Sequence, residues 1–507
     1  MPLMRFVRPT SLRSFRISLP AAAASAILLA ATAGGTVPKA DPSPARPATP
    51  PPPSASPAPR PAPALPRPNV LGLTAWAGGV DPKAASVDWI AGVELAWTDV
   101  EPEAGKIDWT KLDAAIGAVD RAGATAIPVL VPRSSWAGGT PREDWPKGST
   151  ISSVTVPADL EAWSSIVGKI VERYDGDGDS DMPGLSHPVR AWQLMPDLTG
   201  TWASTSPDTV AYLHATAKAV RGAQPRAATI LGSLTSTDVD LLAVEADAST
   251  GLLLDGTRVT KGVIRAVPEL LSRMSFLDEV LRLAKEDYFI VDVRMLDTSE
   301  KVVQRVRFLQ DWFPKNEMGP KNVWDLYNAM PALPEGRPDG KMVATELVRS
   351  ALLSIAAGSR HFGWPADARA LPPITALAPF PIADGNGKQQ EPLRTAFFEL
   401  ARRLDGLVGM EPWPASDETP KLVTIRVQTT SSDPFVAAWT VDGSPLTVAF
   451  PAAGKVTVTD ALTGKIRELS AKEGVVRIEV GLTPLYLTGV DRPGQGAKKE
   501  KPTGGSN

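Results

Sequence analysis

The sequence predicts a closed (β/α)8 TIM barrel followed by a small all-β sandwich. Between residues 69 and 405, short apolar runs alternate with amphipathic helical segments. The runs are nearly continuous rather than alternating, as parallel strands buried on both faces require. No glycine-rich phosphate loop follows the first run, which argues against an open doubly wound sheet. Beyond Pro414 the pattern changes to short strands separated by Asp-Gly, Ala-Gly and Thr-Gly turns, as in an antiparallel sandwich.

In chain order, Arg5, Arg8, Arg13 and Arg16 precede an alanine-rich apolar stretch at 19–31 and the small-residue run Ala31-Thr32-Ala33. Residues 1–33 therefore read as an export signal. The apolar stretch is short for a membrane span, so cleavage is expected, with an uncleaved tether as the alternative. Residues 34–68 are rich in Pro, Ala and Ser, with Pro50 to Pro53 consecutive, and predict a semi-extended spacer. The folded part is then expected in the periplasm or outside the cell. The barrel is assigned to 69–412, with strands at 70–73, 92–96, 126–131, 189–195, 228–231, 289–295, 322–327 and 359–363. Helices are expected at 111–122, 158–174, 209–224, 299–312, 341–357 and 391–405. The sandwich is assigned to 413–490, with strands at 422–427, 435–440, 446–449, 455–460, 466–469, 475–479 and 485–487. Residues 491–507, with Gly, Lys and Pro, read as a disordered tail.

Composition excludes several functions. A net charge of -3 without a basic stripe in the folded part argues against a nucleic-acid partner. The absence of cysteine removes disulfides, thiolate zinc sites and thiol nucleophiles. Three histidines leave little for a histidine metal site or a Ser-His-Asp relay. No further segment is long and apolar enough to span a membrane, and no cofactor is expected. Asp175, Asp177, Asp179 and Asp181 offer the clustered oxygens that calcium uses. Position six of that run is Ser180 rather than glycine and position twelve is Ser186 rather than glutamate, so a solvated turn is the plainer reading and no metal is assigned.

Several strings carry a family resemblance. The run from Trp97 through Glu101-Pro102-Glu103-Ala104-Gly105 to Trp109, then Ser135-Trp136-Ala137, lie where strands two and three end. Glu172-Arg173-Tyr174-Asp175-Gly176 and Met182-Pro183-Gly184-Leu185 precede strand four. Pro434-Phe435-Val436-Ala437-Ala438-Trp439 and Thr483-Pro484-Leu485-Tyr486-Leu487 lie in the β region. In order and spacing, these resemble the barrel-type retaining glycoside hydrolases that include β-xylosidases, β-galactosidases and cellulases. The likeness spans nearly all of residues 69–490.

That resemblance implies two carboxyl groups about 5–5.5 Å apart at the C-terminal ends of strands four and seven. It also implies that the replacements here matter. The Asn-Glu pair expected after the fourth strand is Pro196-Asp197, so Asp197 holds the acid/base position. Tyr327 holds the nucleophile position, and Arg294 stands where the sixth strand commonly carries a histidine. Asp325, two residues before Tyr327, is expected on the same strand face and one layer deeper, in an ion-pair network with Asp292 and Arg294. Trp76, Trp136, Trp202 and Trp364 fall in or near loops after strands, where sugar platforms or buried rim residues would both fit. Arg133, Lys321 and His361 are further pocket candidates.

The expectation is an exported glycoside-hydrolase-like protein that binds polysaccharide or oligosaccharide in its cleft and is catalytically impaired. One alternative is an active O-glycosyl hydrolase with Asp197 as proton donor and Glu335 supplying the second carboxylate. The other is an assembly protein that uses the barrel as a protein-interaction scaffold.

Overall fold

A computed structural model of the protein describes residues 69–139, 154–200, 202–248, 258–329, 339–371, 380–413 and 421–491. Eight strands come first: β1 (Leu71–Thr74), β2 (Trp89–Ala96), β3 (Thr125–Val131), β4 (Ala191–Gln193), β5 (Ala228–Thr235), β6 (Ile290–Leu296), β7 (Asn322–Ala329) and β8 (Phe362–Pro365). They close in sequence order into a parallel barrel, β8 pairing back onto β1. Helices such as Thr110–Arg121, Leu160–Tyr174, Ser206–Ala223, Ser299–Lys315 and Gly340–Ala356 pack outside. Local chemistry starts several of them. Asp159, Thr205 and Asp339 accept hydrogen bonds from backbone N–H groups of the first turn, and Thr235 and Asp238 form a reciprocal capping box. Among its described residues, the β5–β6 crossover carries three helices, Ser236–Glu245, Lys261–Ala266 and Pro268–Leu283.

Parallel register shows which residues enter the lumen, because paired residues point to the same side. Trp89, Ala91, Ile127, Ala191, Ala228, Ile230, Ile290, Trp324 and Leu326 form an apolar plug inside the barrel. Gly72 leaves room for the Trp89 ring, since a Cβ there would lie 2.2 Å from it. Residues of the opposite phase, among them Leu73, Trp192, Val293, Phe362 and Trp364, pack against the helices in the main core. His361 belongs to the plug rather than to a pocket. Its ring stacks 3.8 Å from Trp324 and lies 5.1 Å from Trp89, and burial pushes its pKa down to about 3, so it is neutral.

Three register shifts break the simple alternation, at Gly92 in β2, between Ile230 and Ser233 in β5, and between β6 and β7 beside Asp292. They set what faces the mouth.

Eight further strands follow: β9 (Leu407–Pro412), β10 (Leu422–Thr429), β11 (Phe435–Thr440), β12 (Leu446–Pro451), β13 (Lys455–Asp460), β14 (Ile466–Ser470), β15 (Val475–Val480) and β16 (Leu485–Thr488). Six form an antiparallel sheet in the order β14-β13-β16-β11-β10-β9, and β12 pairs with β15. The sheet begins at Leu407, so it takes in β9, which the expected boundary at 412 had left with the barrel. β11 is buried along its whole length because both faces are used. Phe435, Ala437 and Trp439 join the barrel's core, while Val436 and Ala438 pack with Phe450, Val458 and Ile478 between the two sheets. Arg349, on the helix Gly340–Ala356, donates to the Thr440 carbonyl at 2.5 Å and lies 5.8 Å above the Trp439 ring.

Candidate functional site

The C-terminal ends of the strands hold a polar layer above the apolar plug. Gln193, Ser233 and Asp292 stand lowest: Gln193 donates to Ser233 Oγ at 3.3 Å, and Ser233 donates a short hydrogen bond to Asp292 Oδ2. The Leu326 N–H donates to Asp292 Oδ1 at 3.0 Å. Burial pushes the Asp292 carboxyl above its ordinary range against these hydrogen bonds.

Above them, Asp197 is fixed from several sides. The segment after β4 runs along β5, with Ser233 N–H donating to the Pro196 carbonyl and Leu198 N–H to the Ser233 carbonyl. Gly232 permits that approach, because a Cβ there would lie 2.8 Å from the Pro196 oxygen. Thr199 donates to Asp238 at 2.8 Å, and Arg273 donates to Asp238 and Thr199, both at 2.7 Å. Arg294 then meets the Asp197 carboxylate. Its Nη1 donates to Oδ2 at 3.2 Å, and its Nη2 sits 3.0 Å from Oδ1, close enough for charge pairing though not aligned for a hydrogen bond. Asp197 is only 6% exposed. Burial pushes its pKa up, and the Arg294 guanidinium pulls the other way. The same guanidinium stands 5.3 Å from the centre of the Tyr327 ring. Burial also raises the Tyr327 phenol. Asp197, Arg294 and Tyr327 are thus brought together, as their strand positions suggest.

Asp325 does not join them. Trp324, paired with Asp292, and Leu326 face the lumen, and the register shift that follows brings Tyr327 rather than Leu326 level with Arg294. Asp325 is turned outward, fully buried, accepting from Asn328 Nδ2 at 2.8 Å and from Ser354 Oγ, on a surrounding helix, at 3.5 Å. Burial pushes its carboxyl well up. The expected ion-pair network is correspondingly smaller: Arg294 pairs with Asp197, and Asp292 is held by Ser233 and the backbone.

The tryptophans divide. Trp364 is buried, because its pairing with Leu73 turns it toward the helices, and it donates to the Phe380 carbonyl. Trp202 is fully buried against Tyr212 and donates to Thr209 Oγ1, so neither ring offers a face to a ligand. Trp76 is half-buried in the loop after β1 and donates to the Val80 carbonyl. Trp136 is 39% exposed at the mouth. It heads a ladder of rings with centroids 5.0 Å (Trp136 to Trp97), 5.5 Å (Trp97 to Trp163), 5.7 Å (Trp163 to Tyr212) and 4.9 Å (Tyr212 to Trp202) apart.

Lys321 precedes β7 at the opposite end of the barrel, where Nζ donates to the Lys285 and Tyr288 carbonyls, so it is not a pocket group. Burial lowers its pKa to about 8. Asp175, Asp177 and Asp181 bring ligand oxygens within 4.8 Å of one another, and they are the described residues best placed to hold a cation. That loop precedes β4 and so lies away from the mouth, with Asp181 accepting from Gly176 and Gly178 N–H. Glu335 lies outside the described residues.

Sequence reasoning missed Glu94. It is a lone acid in the otherwise apolar β2 run, which was the available signal, and it pairs with Arg133 at 2.9 Å. It also bears electrostatically on Asp197.

No protein-family model and no curated protein matches the sequence. Solved structures do match in fold. A family 39 glycoside hydrolase from Bacteroides cellulosilyticus WH2 gives a TM-score of 0.56 at 14% identity, over 83% of this chain and 81% of that one. A glucosidase from Croceicoccus marinus gives 0.54 at 14% identity, over 84% and 97%. A family 39 β-xylosidase from Caulobacter crescentus gives 0.51 at 15% identity, over 81% and 90%. The chain therefore has the glycoside-hydrolase-like barrel fold, with an antiparallel all-β region behind it. Fold alone does not carry an activity.

Proposed function

We propose that this chain is an exported, glycoside-hydrolase-like protein that binds polysaccharide or oligosaccharide at the barrel mouth and has lost efficient hydrolysis. The observation that carries the reading is the clamped state of Asp197. A proton donor must reach the glycosidic oxygen within hydrogen-bond distance. Here both carboxylate oxygens face Arg294 and the group is almost wholly buried. Tyr327 fills the second position; among the described acids, Asp292 and Asp325 are buried in hydrogen bonds of their own, and exposed Glu94 is paired with Arg133.

A second reading, an active hydrolase with Asp197 as acid, is favoured by one fact: burial raises that carboxyl and so favours its protonated form. Hydrolysis by the full chain across polysaccharides and aryl glycosides separates the two. Binding without turnover is the expected outcome. Turnover that disappears in Asp197→Ala would establish the hydrolase instead.

A further inference from the structure

The mouth of the barrel is asymmetric. On the β4–β7 side, Asp197, Arg294 and Tyr327 close over one another. On the β2–β3 side the described residues leave the wall open: Gly92, Glu94, Arg133 and Trp136 are all exposed. The Glu94 side chain is 60% exposed and that of Arg133 50%, although both belong to barrel strands or their immediate ends. Gly92 makes the opening possible. It sits at the β2 register shift with φ +80°, and a Cβ there would stand 3.2 Å from Thr74 Oγ1, on the neighbouring strand.

We propose that the Glu94–Arg133 pair, walled by Trp136, is a subsite for an uncharged pyranose unit held through two adjacent hydroxyls. The proposal rests on the carbohydrate reading above and names the part of the mouth and the class of sugar. Each hydroxyl of a vicinal diol both donates and accepts. Glu94 supplies acceptor oxygens; Arg133 Nη2 donates to Glu94, and among the described residues the remaining guanidinium N–H groups are left to donate to a sugar. Because the two charges cancel, a sugar carboxylate would gain Arg133 only by approaching Glu94.

The apolar wall is built in advance. The Trp136 indole N–H donates to the Glu101 carbonyl at 3.0 Å, and its ring lies edge-on to buried Trp97 at 71°. Trp97 in turn donates to Glu101 Oε2 at 2.6 Å, so one residue orients both rings. The Arg133 carbonyl accepts from Thr98 N–H at 2.8 Å, tying the pair to the same short segment. A ring held this way loses little freedom when a sugar's C–H face stacks on it.

The test is calorimetric titration of the full chain with gluco-, xylo-, manno- and galacto-oligosaccharides and with oligogalacturonides. Trp136→Ala, Arg133→Met and Glu94→Gln are compared at matched thermal midpoints, which exposed positions should preserve. At least one neutral series is expected to bind wild type, and each variant to weaken it by about tenfold. If the variants bind as wild type does, or the oligogalacturonides bind best, this subsite is wrong while glycan binding stands. If wild type binds none of them, the underlying carbohydrate reading fails as well.

Discussion

Asp325 is the residue whose chemistry is most exposed to measurement. Its Oδ1 and the Asn328 Oδ1 are both buried without a partner, two acceptors and no donor between them. Burial disfavours the charged form and pushes the carboxyl well up, and a proton on Asp325 would also turn one acceptor into a donor. A raised native pKa binds the proton more tightly in the folded state. Its stabilisation is complete below the unfolded carboxyl value of about 3.9 and is lost as pH rises through the native pKa. Asp292 acts in the same direction. Asp325→Asn supplies a permanent donor. Its thermal midpoint is therefore expected to fall less than that of wild type between about pH 4 and pH 8, gaining roughly a few degrees at the upper end. A variant that tracks wild type across the whole range would show Asp325 to be ionised in the fold.

At the scale of elements, close backbone contact decides what the barrel tolerates. A Cβ on Gly363 of β8 would fall 2.2 Å from the Leu326 carbonyl oxygen of β7. A backbone atom cannot rotate away, so Gly363→Ala is expected to cost about 1–3 kcal/mol, read as a lower urea midpoint at unchanged slope. Strand existence was legible because the apolar runs are strong, and every barrel strand falls at an expected run. Strand facing was not. Alternation places Asp325 beneath Tyr327 only if the strand is regular, and the shift opposite Asp292 breaks it. Trp364 failed as a sugar platform for a related reason: its orientation follows from pairing with Leu73, a long-range fact that no local pattern contains. β9 was missed because Gly409 and Pro412 dilute the strand signal next to a helix end. Asp197, Arg294 and Tyr327 were found together because Asp197 follows β4 and the other two lie in the C-terminal halves of β6 and β7, at one end of the parallel set.

At the scale of the molecule, the barrel and the β region share one apolar core, with Ile425, Val427, Phe435, Trp439 and Tyr486 inside it. Such continuity predicts one cooperative unfolding transition, with calorimetric and van't Hoff enthalpies in agreement, where independent modules would give two. Arg349→Met keeps the apolar stem but leaves the buried Thr440 carbonyl without its donor. It should cost roughly 1–3 kcal/mol and lower that single transition without splitting it. The aromatic ladder described above has an optical consequence. Trp136 is the solvent end of a line of coupled chromophores that runs inward to buried Trp202. A molecule settling on its outer face perturbs one member of an exciton-coupled array, so the near-ultraviolet dichroism of the whole line carries the news of what happens at the rim. The protein contains its own reporter, wired from the surface to the interior.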